Sequence, residues 1–124
     1  MALRAACGLG SRGLDAAGAG LPRSLYAVTA REGDVLVAMG RVVGDGGAFV
    51  QLVDVAVHPD AQGRGLGREV TRRLVAWCEA ILPPSCHVSL VASERAVPLY
   101  LAHGFRPCRG FDRYAGPMRP GGAS

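Results

Sequence analysis

The sequence predicts an α/β (α+β) fold built on a mixed, mostly antiparallel sheet with helices on both faces. Three observations predict it. Three apolar segments of strand length follow one another between tight Gly/Asp turns, which makes an antiparallel meander. One long amphipathic helix then lies between two strand-like segments, an order that makes that strand pair parallel. A glycine-rich turn, Gln62-Gly63-Arg64-Gly65-Leu66-Gly67, opens that helix.

The elements follow in order. Residues 1–20 are rich in Ala and Gly, with weak helical periodicity at Leu3, Ala6 and Cys7; a short helical segment is expected there, with a second helix over Leu14–Ala19. Leu25–Ala30 is a strand, Arg31-Glu32-Gly33-Asp34 a hairpin turn, Val35–Val43 a strand and Gly44-Asp45-Gly46-Gly47 the next turn. Phe49–His58 is the third strand, nearly all apolar except Gln51 and Asp54, and Pro59 ends it. The helix runs from about Gly65 to Ile81, with Leu66, Val70, Leu74, Trp77 and Ile81 on its apolar face; Pro83-Pro84 stops it. His87–Val91 is a short buried strand and Ala96–His103 a short helix, with Pro98 in its first turn and Gly104 as its C-cap. Phe105–Cys108 and Tyr114–Met118 are expected to form a last pair of strands, and residues 119–124 a flexible tail.

The 124 residues suit one domain, residues 1–124. The formal charge is +4, all fourteen basic residues are Arg, and no continuous basic run or aromatic cluster marks a nucleic-acid surface. No apolar run has the length of a membrane span. Cys7, Cys78, Cys86 and Cys108 form no C-x-x-C pair, so no metal is expected and four free thiols in a reducing, cytoplasmic compartment are. The first twenty residues are Arg-bearing and acid-poor, but Arg4, Arg12 and Asp15 interrupt any signal-peptide centre.

A glycine-rich helix N-terminus offers free N–H groups and the positive end of the helix dipole, a setting that favours a phosphate. A Walker A loop is excluded because the chain has no Lys. A dinucleotide fingerprint fits poorly, since the third glycine falls one residue early and the turn follows a meander. What fits is Q-x-x-G-x-G, on Gln62, Gly65 and Gly67, after the strand ending Val57-His58-Pro59.

That segment resembles the acetyl-CoA signature of the Gcn5-related N-acetyltransferase superfamily, R/Q-x-x-G-x-G/A. Ala96-Val97-Pro98-Leu99-Tyr100-Leu101-Ala102-His103-Gly104-Phe105 is similar to the family's second stretch, A-x-x-L-Y-x-x-x-G-F. The resemblance runs from about residue 3 to about residue 118. It implies acetyl-CoA as co-substrate, with its pyrophosphate over backbone N–H groups of Gln62, Gly63, Arg64, Gly65, Leu66, Gly67 and Arg68. It implies the pantetheine arm along Val55, Ala56 and Val57. It also implies a V-shaped opening beside the third strand, and Tyr100 as the acid that protonates the departing thiolate. Ser93, Val97 and Pro98 depart from the family pattern, and the first strand of larger members has no room before Leu3.

Asp54 is a carboxylate in an apolar strand. It has two readings, a cleft group that binds the substrate ammonium or takes its proton through water, and a structural acceptor for a nearby Arg. Gln51 is a neutral candidate for lining the cleft. Arg41 has two readings, a contact for an acidic substrate group and, preferred, a residue on a solvated face; His58 reads as a loop or capping residue, and His87 and His103 as non-catalytic. The expected function is transfer of acetyl to a primary amine of a small molecule, with no nucleic-acid or membrane partner; a homodimer that covers an exposed sheet edge is plausible. Two alternatives stay open. One is a non-catalytic acyl-CoA-binding or partner-binding module on the same fold, motivated by the altered stretch Ser93–Pro98. The weaker one is a nucleic-acid-binding domain, motivated by the arginine content.

Overall fold

Apolar alternation in the first half of the chain folds into a meander, and the helix that follows covers one of its faces. The computed structural model describes residues 14–16 and 23–117; the helix expected before Leu14, residues 17–22 and the tail lie outside the described residues. The strands are β1 (Leu14–Ala16), β2 (Tyr26–Glu32), β3 (Val35–Gly44), β4 (Phe49–Val57) and β5 (His87–Ser89), and the helices α1 (Leu66–Ile81) and α2 (Val97–Ala102). The sheet order is β1-β2-β3-β4-β5. The first three pairings are antiparallel and β4–β5 is parallel, as the strand-helix-strand order predicts.

Leu14–Ala16 corrects the helix expected there: it is a strand, antiparallel to β2. Without it β2 would present a bare edge, and pairing outweighs a helix propensity already weakened by glycines. The last pair of strands is also not formed among the described residues. Phe105–Pro117 has no ladder partner; Pro107 has no N–H to give one, and Phe111 and Tyr114 are almost wholly exposed. Instead the Arg113 guanidinium donates to the carbonyls of Tyr114 and Gly116. β5 is shorter than expected and only partly buried, because β4 alone pairs with it.

The core lies between the sheet and α1. Val28, Ala30, Val42, Val50 and Leu52 from the strands meet Leu66, Val70, Leu74 and Cys78 from the helix. Each large aliphatic side chain so buried contributes about 1.5–3 kcal/mol. The helix sits slightly rotated from the expected face, with Cys78 buried and Ile81 61% exposed. Gly40 sets how closely α1 approaches β3: a Cβ there would stand 2.7 Å from Val70 Cγ1 and 2.9 Å from Leu74 Cδ1. Asp45 closes the β3–β4 turn by accepting from the N–H groups of Gly47, Ala48 and Phe49 at 2.8, 2.8 and 3.1 Å, which holds its carboxyl below the usual carboxylate range.

Candidate active site

The site begins with a fault in β4. Arg41 pairs with Val53 and Met39 with Ala56, so Gly40 alone faces both Asp54 and Val55: a β-bulge. Asp54 takes φ of 57°, a left-handed conformation that Asp tolerates better than most residues. The extra residue shifts the phase of the strand. Val50 and Leu52 face the core before it, Val55 and Val57 after it. Asp54, read from sequence as alternating with Val53 and Val55, instead sits in the bulge.

The second feature is a missing neighbour. β5 pairs with β4 only at Phe49, Val50 and Gln51. Beyond Gln51 the outer edge of β4 is open, and the chain after β5 (Val91, Ala92, Ser93) diverges from it. Between them lies a cleft of about 360 Å³, lined by Gln51–Val55 on one side and by Ser93, Ala96 and Tyr100 on the other. The His58 N–H bonds the Val37 carbonyl across to β3 at 2.7 Å. Alternating back from there, the backbones of Val57 and Val55 turn towards the open edge, whereas Ala56, opposite Met39, spends its backbone on β3.

The glycine turn lies at the far end of this edge. The Gln62 side chain donates to the Val57 carbonyl at 3.4 Å, and a Cβ on Gly67 would lie 3.6 Å from Val57 Cγ2. Gly65 is the N-cap of α1 with φ of 78° and no side-chain cap. The first intrahelical bond runs from the Glu69 N–H to the Gly65 carbonyl at 3.0 Å, so the N–H groups of Leu66, Gly67 and Arg68 have no acceptor among the described residues. Side-chain atoms at Gly63 and Gly65 would meet nothing within 4 Å, so the space above the turn is open.

The charged residues divide. Arg64 is already engaged, pairing with Glu32 on β2 and reaching the Asp60 carbonyl at 3.4 Å. Arg68 is exposed and has no ion-pair partner among the described residues. Arg72 and Arg73 both hold Glu69, which keeps that carboxyl below its ordinary range. Asp54 is not a buried charge: its side chain is 56% exposed, and Oδ2 accepts from Arg41 Nε at 2.8 Å. Arg41, expected on a solvated face, is half-buried and also donates to Ser24 Oγ at 3.0 Å. His58 caps the turn after β4, its Nδ1 accepting from the Asp60 N–H at 3.0 Å. Cys78, Cys86 and Cys108 are free thiols. Among the described residues no group of three His, Cys, Asp or Glu is placed to hold a metal, and no helix is long and apolar enough to cross a membrane.

Tyr100 lies at the inner wall of the cleft, 8% exposed, its ring edge-on to Phe105 at 5.8 Å. Burial pushes its phenol above the ordinary value, and the Thr71 side chain opposes that push. Thr71 is the residue that sequence reasoning missed. It is fully buried in α1, and its Oγ1 has no partner at full hydrogen-bond geometry. A signal was present: position 71 follows Gly67 by four and precedes Leu74 by three, which puts a hydroxyl on the covered face of the helix.

Comparison with known proteins fits this geometry. The rice (Oryza sativa subsp. japonica) protein serotonin N-acetyltransferase 2, chloroplastic, is 41% identical over 69 residues; the match covers 56% of this chain, which spans about a third (34%) of that relative's length. A protein of unknown function from meticillin-resistant Staphylococcus aureus superimposes with a TM-score of 0.69 at 36% identity, over 77% of this chain and 75% of that one. A Clostridium acetobutylicum protein solved with acetyl-CoA shares the fold, with a TM-score of 0.57 at 19% identity, over 72% and 62% of the two chains. Residues 8–105 match the Acetyltransferase (GNAT) family, and the chain, with its splayed β4, glycine turn and cleft tyrosine, belongs to that family.

Proposed function

We propose that this chain is an N-acetyltransferase that moves acetyl from acetyl-CoA directly to a primary amine of a small molecule. The observation that carries the reading is the half-open β4. Its free edge runs from the acceptor-free N–H groups of the glycine turn to the buried phenol of Tyr100. Family membership supports the acyl donor. The rice relative, a serotonin N-acetyltransferase by name, supports an amine acceptor.

The residues present fit acetyl-CoA. The backbone groups of Val55 and Val57 would hold amides of the pantetheine arm as an added strand does. The N–H groups from Gln62 to Arg68 would hold the pyrophosphate, with Arg68 adding charge. The Ala56 backbone and the Arg64 side chain drop out of the direct contacts, because β3 takes the one and Glu32 the other. Acetyl-CoA supplies the acetyl group as a thioester.

This chain's own groups would do the rest. Holding both reactants in one cleft makes the attack effectively unimolecular. An open-edge N–H near Val55 would face the carbonyl oxygen where negative charge develops. Asp54 stands at the mouth of the cleft with Oδ2 on Arg41, and would take the incoming ammonium and, through water, its proton. Tyr100 would give its Oη proton to the departing thiolate; burial favours the protonated phenol it needs for that step.

Calorimetric titration with acetyl-CoA, with NAD and ATP as controls, tests the ligand, and thiol release on a panel of primary amines tests the reaction. Tyr100→Phe should lower kcat by about 10²–10⁴-fold and leave acetyl-CoA affinity unchanged. Absence of acetyl-CoA binding overturns the reading; binding without thiol release on any amine favours a non-catalytic acyl-CoA module.

A further inference from the structure

Among the described residues Asp54 is the only charged side chain that lines the cleft, and it is held from behind. Its Oδ2 accepts from Arg41 Nε at 2.8 Å, and Arg41 Nη1 donates to Ser24 Oγ at 3.0 Å. Among the described residues nothing donates to Oδ1. One guanidinium therefore ties the chain ahead of β2 and the middle of β3 to the bulge in β4. Stability does not account for this arrangement. The Asp54 side chain is 56% exposed, and an ion pair so open to water adds little to the folded state. The backbone beneath it is held at φ of 57°, in the left-handed region that is uncommon for a residue with a Cβ. A conformation of this kind persists where the surroundings fix it, and it collects at sites that do chemistry.

We infer that Arg41 is a positioning residue for Asp54, with Ser24 as its anchor: the guanidinium takes Oδ2, fixes the carboxylate in one rotamer and leaves Oδ1 as the oxygen that meets the amine. The role rests on the acetyl-transfer reading above. A planar guanidinium suits it, because Nε and Nη1 are donors at a fixed spacing, and both are satisfied only while Asp54 and Ser24 stay in place. A lysine ammonium carries the same charge as a single point and sets no direction between two partners. Without that hold an exposed aspartate exchanges among its rotamers, and the oxygen that receives the ammonium is in place only part of the time. Arg41 itself touches no reacting atom: it lies on β3 opposite Val53, outside the lining of the cleft.

Three variants of the full chain test it. Arg41→Gln removes the charge and the fork, Arg41→Lys keeps the charge and loses the fork, and Ser24→Ala removes only the anchor. Arg41→Gln should lower kcat/KM for the amine about tenfold while acetyl-CoA affinity by calorimetry holds; Arg41→Lys should not restore the loss, and Ser24→Ala should lower kcat/KM about two- to threefold. Added to Asp54→Asn, Arg41→Gln should cost nothing further. Amine kinetics left intact by Arg41→Gln, an equal loss with and without the Asp54 carboxylate, or full rescue by lysine overturns the inference. The contact is also read without turnover, by the Arg41 Nε–H resonance in a ¹⁵N spectrum, which should move in both Asp54→Asn and Ser24→Ala. A resonance that either variant leaves in place overturns the inference. One that both move, in a protein that releases no thiol with any amine, would sustain the hold of Arg41 on Asp54 while removing the acetyl-transfer reading, so the two fail separately.

Discussion

The first three residues of β4 and the six that follow share a strand but not a neighbourhood. Phe49–Gln51 lie between β3 and β5, with both backbone edges bonded. Leu52–Val57 keep β3 and lose β5, and within them the bulge at Asp54 resets which side chains face the core. The paired end has its hydrogen-bonding capacity consumed by the sheet. The open end has the same backbone groups to offer a ligand, and it is held in shape from behind by α1. On the proposed reading one strand serves as scaffold and as site, and what separates the two uses is where its neighbour stops.

The sharpest way to break the open end is at its far terminus. Gly65→Val forces a β-branched residue into φ of 78° and places a side chain above the turn. Acetyl-CoA affinity measured by calorimetry should fall about 10- to 100-fold. The packing that holds the open end from behind is tested at Gly40, the residue opposite the bulge. Gly40→Val drives methyl groups into Val70 and Leu74 and should cost about 1–3 kcal/mol by urea unfolding, with the m-value unchanged. Asp54→Asn keeps a residue that accepts left-handed φ and removes the charge; kcat/KM for the amine should fall roughly tenfold while acetyl-CoA affinity holds. Loss of stability alone, with the amine kinetics intact, would leave Asp54 as no more than the acceptor for Arg41.

The smallest effect belongs to the core. Burial first, then the charges of Cys86 and Glu79, push the Cys78 thiol from an ordinary 9.0 to about 11. A pKa raised on folding gives stability that is complete below the ordinary value and lost as pH rises through the folded one. Unfolding followed between pH 9 and about 11 should therefore show stability falling with pH, and Cys78→Ala should flatten that slope.

Much of this was legible in the sequence for a physical reason. Period-two apolar runs between Gly/Asp turns can bury a face only as strands, and the row Leu66, Val70, Leu74 only as a helix, so the meander and α1 were readable. So was the glycine turn, since Gly65 answers a backbone demand that few other residues meet. The bulge was not readable. It is a matter of register between β3 and β4, and its only trace was one Asp among valines. Leu14–Ala16 looked helical because its strand character comes from β2, a distant partner. The last strands looked real in Phe105–Cys108 because composition does not tell whether an edge is there to receive them. Tyr100 was singled out by position in a motif, and the fold sets it in the cleft wall; Thr71, buried in α1, belongs to no motif, and its burial required the fold.

Trp77, the chain's single indole, lies flat on Tyr26, centroids 5.3 Å apart and planes within 10°. The stack joins α1 to β2 and takes no part in lining the cleft. Its fluorescence is therefore a built-in gauge of whether helix and sheet are still docked, free of interference from what the cleft holds. Emission should stay steady as acetyl-CoA is added and shift only when the protein unfolds, so an unlabelled sample can tell a variant that has lost its shape from one that has lost only its ligand.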